Sequence, residues 1–169
     1  RMLRFVARRG LQGAAISPKI DLMLRGAYGE LDAGAPAMLE KLHAATAPLI
    51  WHKHGSFLDH LRDVWLMLCA WDQPQHWCRL GLFHSAYSNS FVSMNLYDVT
   101  KDRKDVASLI GDDAENLVYK FCVINRQLLE DEVENELVVR ATKSTHLHTG
   151  NQVDLSAVEA AACIAETIA

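Results

Sequence analysis

Residues 57–71, FLDHLRDVWLMLCAW, and residues 75–89, QHWCRLGLFHSAYSN, decide the fold. In the first stretch Leu58, Leu61, Trp65 and Leu68 recur at the i, i+3, i+4 spacing of one helical face. In the second, Trp77, Leu80, Gly81, His84 and Tyr87 fall on one side. Ser56 or Asp59 can open the first helix, and Asp72 and Pro74 mark the turn between the two. Two apolar helices joined by so short a link are expected to pack antiparallel.

Working outward toward the N-terminus, His52–Ser56 (HKHGS) reads as a turn carrying two histidines. Before it, AMLEKLHAATAPLI places Met38, Leu39, Leu42 and Ala45 at helical spacing, with Pro36 suited to the first turn and Pro48 interrupting. Residues 1–35 carry five glycines and read as a loosely organised arm with at most a short helix near Ile20–Leu31. Toward the C-terminus, residues 88–103 are polar and irregular, a loop of functional length. A helix is expected around Lys104–Ile110, ended by Gly111. Another opens at Asp112 or Asp113 and carries Leu117, Val118, Phe121, Cys122, Ile124, Leu128 and Leu129. Residues 137–142, LVVRAT, suit a short strand. Ser156 and Glu159 form the capping box of a last helix. The expectation is an all-α domain of five or six helices over residues 36–169, preceded by a basic, Gly-rich arm over residues 1–35.

Half of the 169 residues are hydrophobic and 22% are charged, enough for a core that needs neither disulfide nor metal to fold. The net charge of −4 gives no basic face of the kind a nucleic-acid binder shows. No apolar run reaches the roughly 18 residues of a membrane-spanning helix. Cys69, Cys78, Cys122 and Cys163 form no CxxC pair and read as buried thiols of an intracellular, reducing compartment. Residues 1–20 hold Arg1, Arg4, Arg8, Arg9 and Lys19 and no acid. Two readings stay open there: an organelle transit segment, chloroplast or mitochondrial, or an arm that is disordered or docks on a protein partner. The acidic run Glu130–Glu136, EDEVENE, reads as a solvated helix end or loop.

The chemistry-bearing feature is a pair of histidines, His60 and His84, one on each helix of the apolar hairpin. Antiparallel packing brings both rings toward one cavity, and imidazole nitrogen is a common metal ligand. Alone, such histidines are more often hydrogen-bonded core residues. The surrounding words HGSFLDHL, LFHSAY, RKDVASLIGDDAENL and FCVINR, in this order over about residues 50–130, resemble the HD superfamily. They are closer still to a branch of it carrying His-Ser where the superfamily carries His-Asp. The resemblance implies a helical fold in which His60 matches the first metal-binding histidine and His84 the histidine of the pair. Ser85 then stands in place of the aspartate, and Asn125 in place of the final one. Most characterised members of the superfamily hydrolyse phosphate esters with one or two metal ions; the His-Ser branch implies no activity. The glycine usual after the tyrosine of LFHS-x-Y is Ser88 here.

A di-metal phosphohydrolase site uses carboxylates to hold and bridge its cations. Two neutral imidazoles with Ser85 and Asn125 leave most of that charge uncompensated. His54 is the better third ligand for a single Fe, Mn or Zn ion, because Asp59, adjoining His60, points about 100° away on a helix. Tyr87 is expected in the same pocket as Ser85 and Asn125, or in the core. Arg103 and Arg126 are candidates to clamp an anion, or to pair with Asp105, Glu115 or Glu130. Trp51, Trp65, Trp71 and Trp77 are expected in the core, and His146 and His148 in an exposed segment. Two functions follow. The first is a non-catalytic HD-like domain without a cofactor, acting as a binding module or a subunit of a larger assembly. The alternative is a metal-dependent phosphohydrolase, or behind it a mononuclear iron oxygenase, acting on a small molecule through His60 and His84.

Overall fold

The computed structural model describes residues 17–45, 47–52, 55–126 and 143–169. His54, the acidic run 130–136, the expected strand 137–142 and residues 1–16 of the basic arm lie outside the described residues. The chain is all-α in class, with eight α-helices and two small strand pairs among the described residues.

The hairpin forms as the apolar spacing predicts. Helices α1 (Pro18–Leu24), α2 (Tyr28–Leu31) and α3 (Ala35–Ala44) lead, through a 3₁₀ turn and strands β1 (Trp51–His52) and β2 (Gly55–Ser56), into α4 (Phe57–Ala70). Ser56 caps α4: its hydroxyl accepts from the Asp59 N–H at 3.1 Å, and the Asp59 carboxylate accepts from the Ser56 N–H at 3.3 Å. The Ser56 hydroxyl also donates to the Asp59 carboxylate at 2.7 Å; that bond first, with the one from the Ser56 N–H, holds the Asp59 carboxyl below its ordinary range and commits it to the cap. Helix α5 (Gln75–Phe83) returns along α4, with Cys69 beside Cys78 near the turn and His60 against His84 at the far end. Gly81 makes the close approach possible. A Cβ there would stand 2.6 Å from Leu68 Cδ1 and 3.2 Å from Val64 Cγ1.

Helices α6 (Arg103–Ile110) and α7 (Asp112–Val123) follow the long loop and meet at Gly111, whose φ of +90° suits glycine. Helix α8 (Ala157–Ile168) carries the Ser156–Glu159 capping box and packs against α4, α5 and α7. The fully buried side chains Trp65, Phe57, Phe83, Phe121, Met38 and Leu42 come from α3, α4, α5 and α7, so the core sits where these helices converge. Arg79 of α5 ties the periphery to it. Its guanidinium donates to both Asp32 carboxylate oxygens at 2.7 and 2.8 Å and to the Ile110 carbonyl at 2.9 Å.

Three details differ from the sequence expectation. The single short helix near Ile20–Leu31 is two helices, split at Gly26, whose φ is +66°. Tyr28 and Leu31 of this segment pack against the core, with Tyr28 edge-on to Trp65 at 5.5 Å. Helix α7 stops at Val123. Ile124 turns extended and bridges His146, and the Asn125 N–H donates to the Thr145 carbonyl at 3.0 Å. The captured residues thus pair beside β3 (Lys143–Thr145), which runs antiparallel to β4 (Gln152–Asp154) with Ser144 opposite Val153. Of the four tryptophans only Trp65 is fully buried. Trp77 is half-buried, while Trp51 on β1 and Trp71 just past the end of α4 face solvent.

Candidate functional site

The two histidines meet. His60 comes from the first turn of α4, and His84 from the position just past α5, where the helix ends and its carbonyls are open to side-chain donors. Their Nε2 atoms are 3.2 Å apart, and the ring planes stand at 88°. His84 is buried, edge-on to Phe121, and its Nδ1 lies 2.7 Å from the Gly81 carbonyl. A carbonyl only accepts, so Nδ1 carries the proton and neutral His84 presents a lone pair on Nε2 toward His60. The Glu166 carboxylate of α8, 3.3 Å from the same Nδ1, reinforces that tautomer from behind the ring.

These rings form one wall of a cavity of about 460 Å³. Arg126 and Glu166 line it as well, their side chains 3.4 Å apart, and Thr167 lies within 3.5 Å of the same guanidinium nitrogen. The Arg126 guanidinium lies over the rings of Phe121 at 4.3 Å and Phe91 at 4.6 Å, which fixes its plane. Val64, Val92 and Asn89 complete much of the lining. A concave site of this size, where apolar side chains meet several convergent polar groups, has the dimensions of a small-molecule pocket.

Ser85, fully buried, stands behind this wall. Its hydroxyl accepts from the Asn89 side-chain amide at 2.7 Å. The Asn89 carbonyl oxygen in turn accepts from the Phe91 and Val92 N–H groups, both at 3.0 Å. Ser85 thus shapes the loop that carries Phe91 and Val92. Asn125 does not line the cavity. Its backbone joins β3, where its N–H and carbonyl bond Thr145 and Ser144.

Tyr87 belongs to a different cluster. Its hydroxyl donates to Glu115 at 3.0 Å, and Arg103 grips the same carboxylate with two bonds of 2.7 Å while lying over the Tyr119 ring. Burial first, and then the Glu115 charge, push the Tyr87 hydroxyl far above its ordinary value. Arg103 is therefore a pairing residue, whereas Arg126 faces the cavity. His146 and His148 meet edge-on, ring centroids 5.9 Å apart, on the strand turn and away from this wall. No group of three His, Cys, Asp or Glu side chains able to hold a metal is present among the described residues.

Glu166, Asn89, Thr167 and Phe91 were not legible as site residues. Glu166 did leave a signal, the one acid in the apolar stretch AAACIAET. A carboxylate on the buried face of such a helix needs a partner, and His84 and Arg126 provide it. No helix among the described residues is long and apolar enough to cross a membrane.

No curated protein and no solved structure matches the chain. A family model does match residues 41–126, which hold α4 to α7 and, of the cavity wall, His60, His84, Asn89, Phe91 and Arg126. The chain belongs to that family, a domain of unknown function designated DUF6817.

Proposed function

We propose that this chain is an HD-like binding module without a carboxylate-built metal centre, and that it takes a small anionic ligand into the cavity beside His60 and His84. One observation carries the reading: the Arg126 guanidinium and the imidazoles of His60 and His84 line a single cavity of about 460 Å³. A flat guanidinium fixed between aromatic rings is pre-ordered to receive a phosphate or carboxylate group. Phe91 and Val92 offer the ligand's less polar part a surface to lie on.

The donor set does not suit the di-metal centre that the HD resemblance implies. Ser85 is buried and bonded to Asn89, and Asn125 lies off the cavity. Glu166 is the acid among the described lining residues, and it sits between His84 Nδ1 and Arg126, on the side of the ring away from His60. Service as a subunit of a larger assembly is the complementary part of this reading. The five basic residues and absence of acids in residues 1–20 support it.

A second reading, a single Fe, Mn or Zn ion at His60 and His84, is favoured by the 3.2 Å between their Nε2 atoms. Two nitrogens bound tetrahedrally about 2.0–2.1 Å from one zinc ion lie about 3.3 Å apart. Such an ion would supply Lewis-acid chemistry for a phosphohydrolase, or, less suited to these neutral donors, redox chemistry for an oxygenase.

Calorimetric titration with inorganic phosphate tests the proposal. Saturable binding to the wild-type chain, weakened about tenfold or more in Arg126→Ala, is expected for loss of a charge-assisted contact worth about 1.5–3 kcal/mol. Absence of binding to the wild type, or equal binding by both proteins, contradicts it.

A further inference from the structure

The α4–α5 turn holds a second chemical feature, independent of the histidine cavity. Cys69, one residue before the end of α4, and Cys78, in the first turns of α5, stand on neighbouring helices and face one small pocket, where the Cys78 thiol donates to the Gln73 carbonyl at 3.4 Å. Both line a small pocket of about 140 Å³ together with Lys19, Asp32 and Gln73. Lys19 of α1 roofs this pocket, reaching the Cys69 carbonyl at 3.5 Å and the Asp72 carboxylate. Helix α1 contributes no fully buried residue, and Met23 is its hydrophobic contact with the core. The neighbouring Cys69 thiol first, with the Lys19 ammonium as a further cause, lowers the Cys78 thiol, while Cys78 and burial raise Cys69. Cys122 and Cys163 contrast with the pair: burial pushes each up to about 12, and neither lines this pocket.

We infer that Cys69 and Cys78 are a disulfide-forming site whose co-reactant is an oxidised low-molecular-weight thiol of the glutathione-disulfide class. The Cys78 thiolate attacks one sulfur of that disulfide. A new S–S bond forms, the old one breaks, and one small thiolate leaves and takes up the proton that Cys78 gave to solvent. Cys69, deprotonated by solvent base, then attacks the Cys78 sulfur of the mixed disulfide and expels the second small thiolate, which is protonated in turn. Two protein thiols are oxidised, and one small disulfide is reduced to two thiols. The product staples the end of α4 to the start of α5, the hairpin that also carries His60 and His84.

The native protein, equilibrated in a mixed glutathione and glutathione-disulfide buffer and then alkylated, digested and mapped by mass spectrometry, tests the assignment. A Cys69–Cys78 cross-linked peptide is expected, with Cys122 and Cys163 alkylated only after denaturation. In Cys69→Ser a glutathione adduct should be trapped on Cys78. The wild-type map decides the matter if that variant does not fold. Four thiols left reduced under oxidising buffer, or cross-links forming at Cys122 and Cys163 as readily as at Cys69 and Cys78, overturn it.

Discussion

His60 and His84 face each other through their Nε2 atoms at 3.2 Å, and the second ring is oriented by its own helix, through the Gly81 carbonyl 2.7 Å from His84 Nδ1. The geometry fixes which nitrogen of His84 carries the proton. In long-range proton–nitrogen NMR spectra, neutral His84 should be the Nδ1–H tautomer, with Nε2 at the shift of an unprotonated ring nitrogen. Replacing Glu166 by Gln should leave that assignment in place, because the backbone carbonyl remains. Observation of the Nε2–H tautomer in the wild type would show that the ring is not held as described.

The approach of the two histidine-bearing helices depends on Gly81. An added methyl there meets Leu68 at 2.6 Å and Val64 at 3.2 Å, inside a core whose side chains are fully packed. Gly81→Ala should destabilise the fold by about 1–3 kcal/mol, the usual cost of overpacking. The measurement is the urea midpoint at unchanged m-value. Because His84 is three residues further on, the same substitution should also shift the His60 and His84 ring resonances.

Acid should weaken the clamp between Asp32 and Arg79. Burial alone would raise the Asp32 carboxyl. The Arg79 bonds and the Gly34 N–H outweigh it, and the folded-state value lies below the usual carboxylate range. A depressed folded value means the stabilisation is fully present above the unfolded value, about pH 4. It is lost as the pH falls through the lower, folded one. Denaturant unfolding from pH 7 down to pH 3 should show this component in the wild type and its absence in Asp32→Asn. Parallel pH profiles for the two proteins would contradict the assignment.

Ser88 holds a backbone conformation that costs energy. Its φ is +65°, in the left-handed region that glycine adopts freely. Left-handed backbone costs a non-glycine residue about 1–2 kcal/mol, while glycine loses about 0.5–1 kcal/mol more chain entropy on folding. Ser88→Gly should therefore stabilise the protein by about 0.5–1 kcal/mol, read as a higher melting temperature. A lower one would mean that the serine side chain contributes more to the loop than its strain costs.

The helical hairpin was legible because Leu61, Trp65 and Leu68 state their period in sequence, and burial against α5 follows from it. The facing of His60 and His84 was legible for the same reason. Arg126 was legible only as one of two arginines, and nothing in the sequence separated it from Arg103. The distinction arises because Glu115 lies twelve residues from Arg103 on the next helix and captures it, whereas Arg126 emerges after α7 has ended. That helix end is itself tertiary in origin: Val123 and Asn125 exchange helical bonds for bonds to Leu147 and Thr145. Glu166 was hidden for a related reason, since its partners His84 and Arg126 are distant in sequence.

The central claim is that the hollow beside His60 and His84, whose one described acid, Glu166, is engaged with His84 and Arg126, works as a binding pocket rather than as a metal centre. Elemental analysis of the purified protein, with His60→Ala and His84→Ala alongside, tests it most directly. The account predicts Fe, Mn and Zn far below one per chain, with content the same in all three proteins. One ion per chain in the wild type, lost on either replacement, would contradict it and favour the metal-dependent reading.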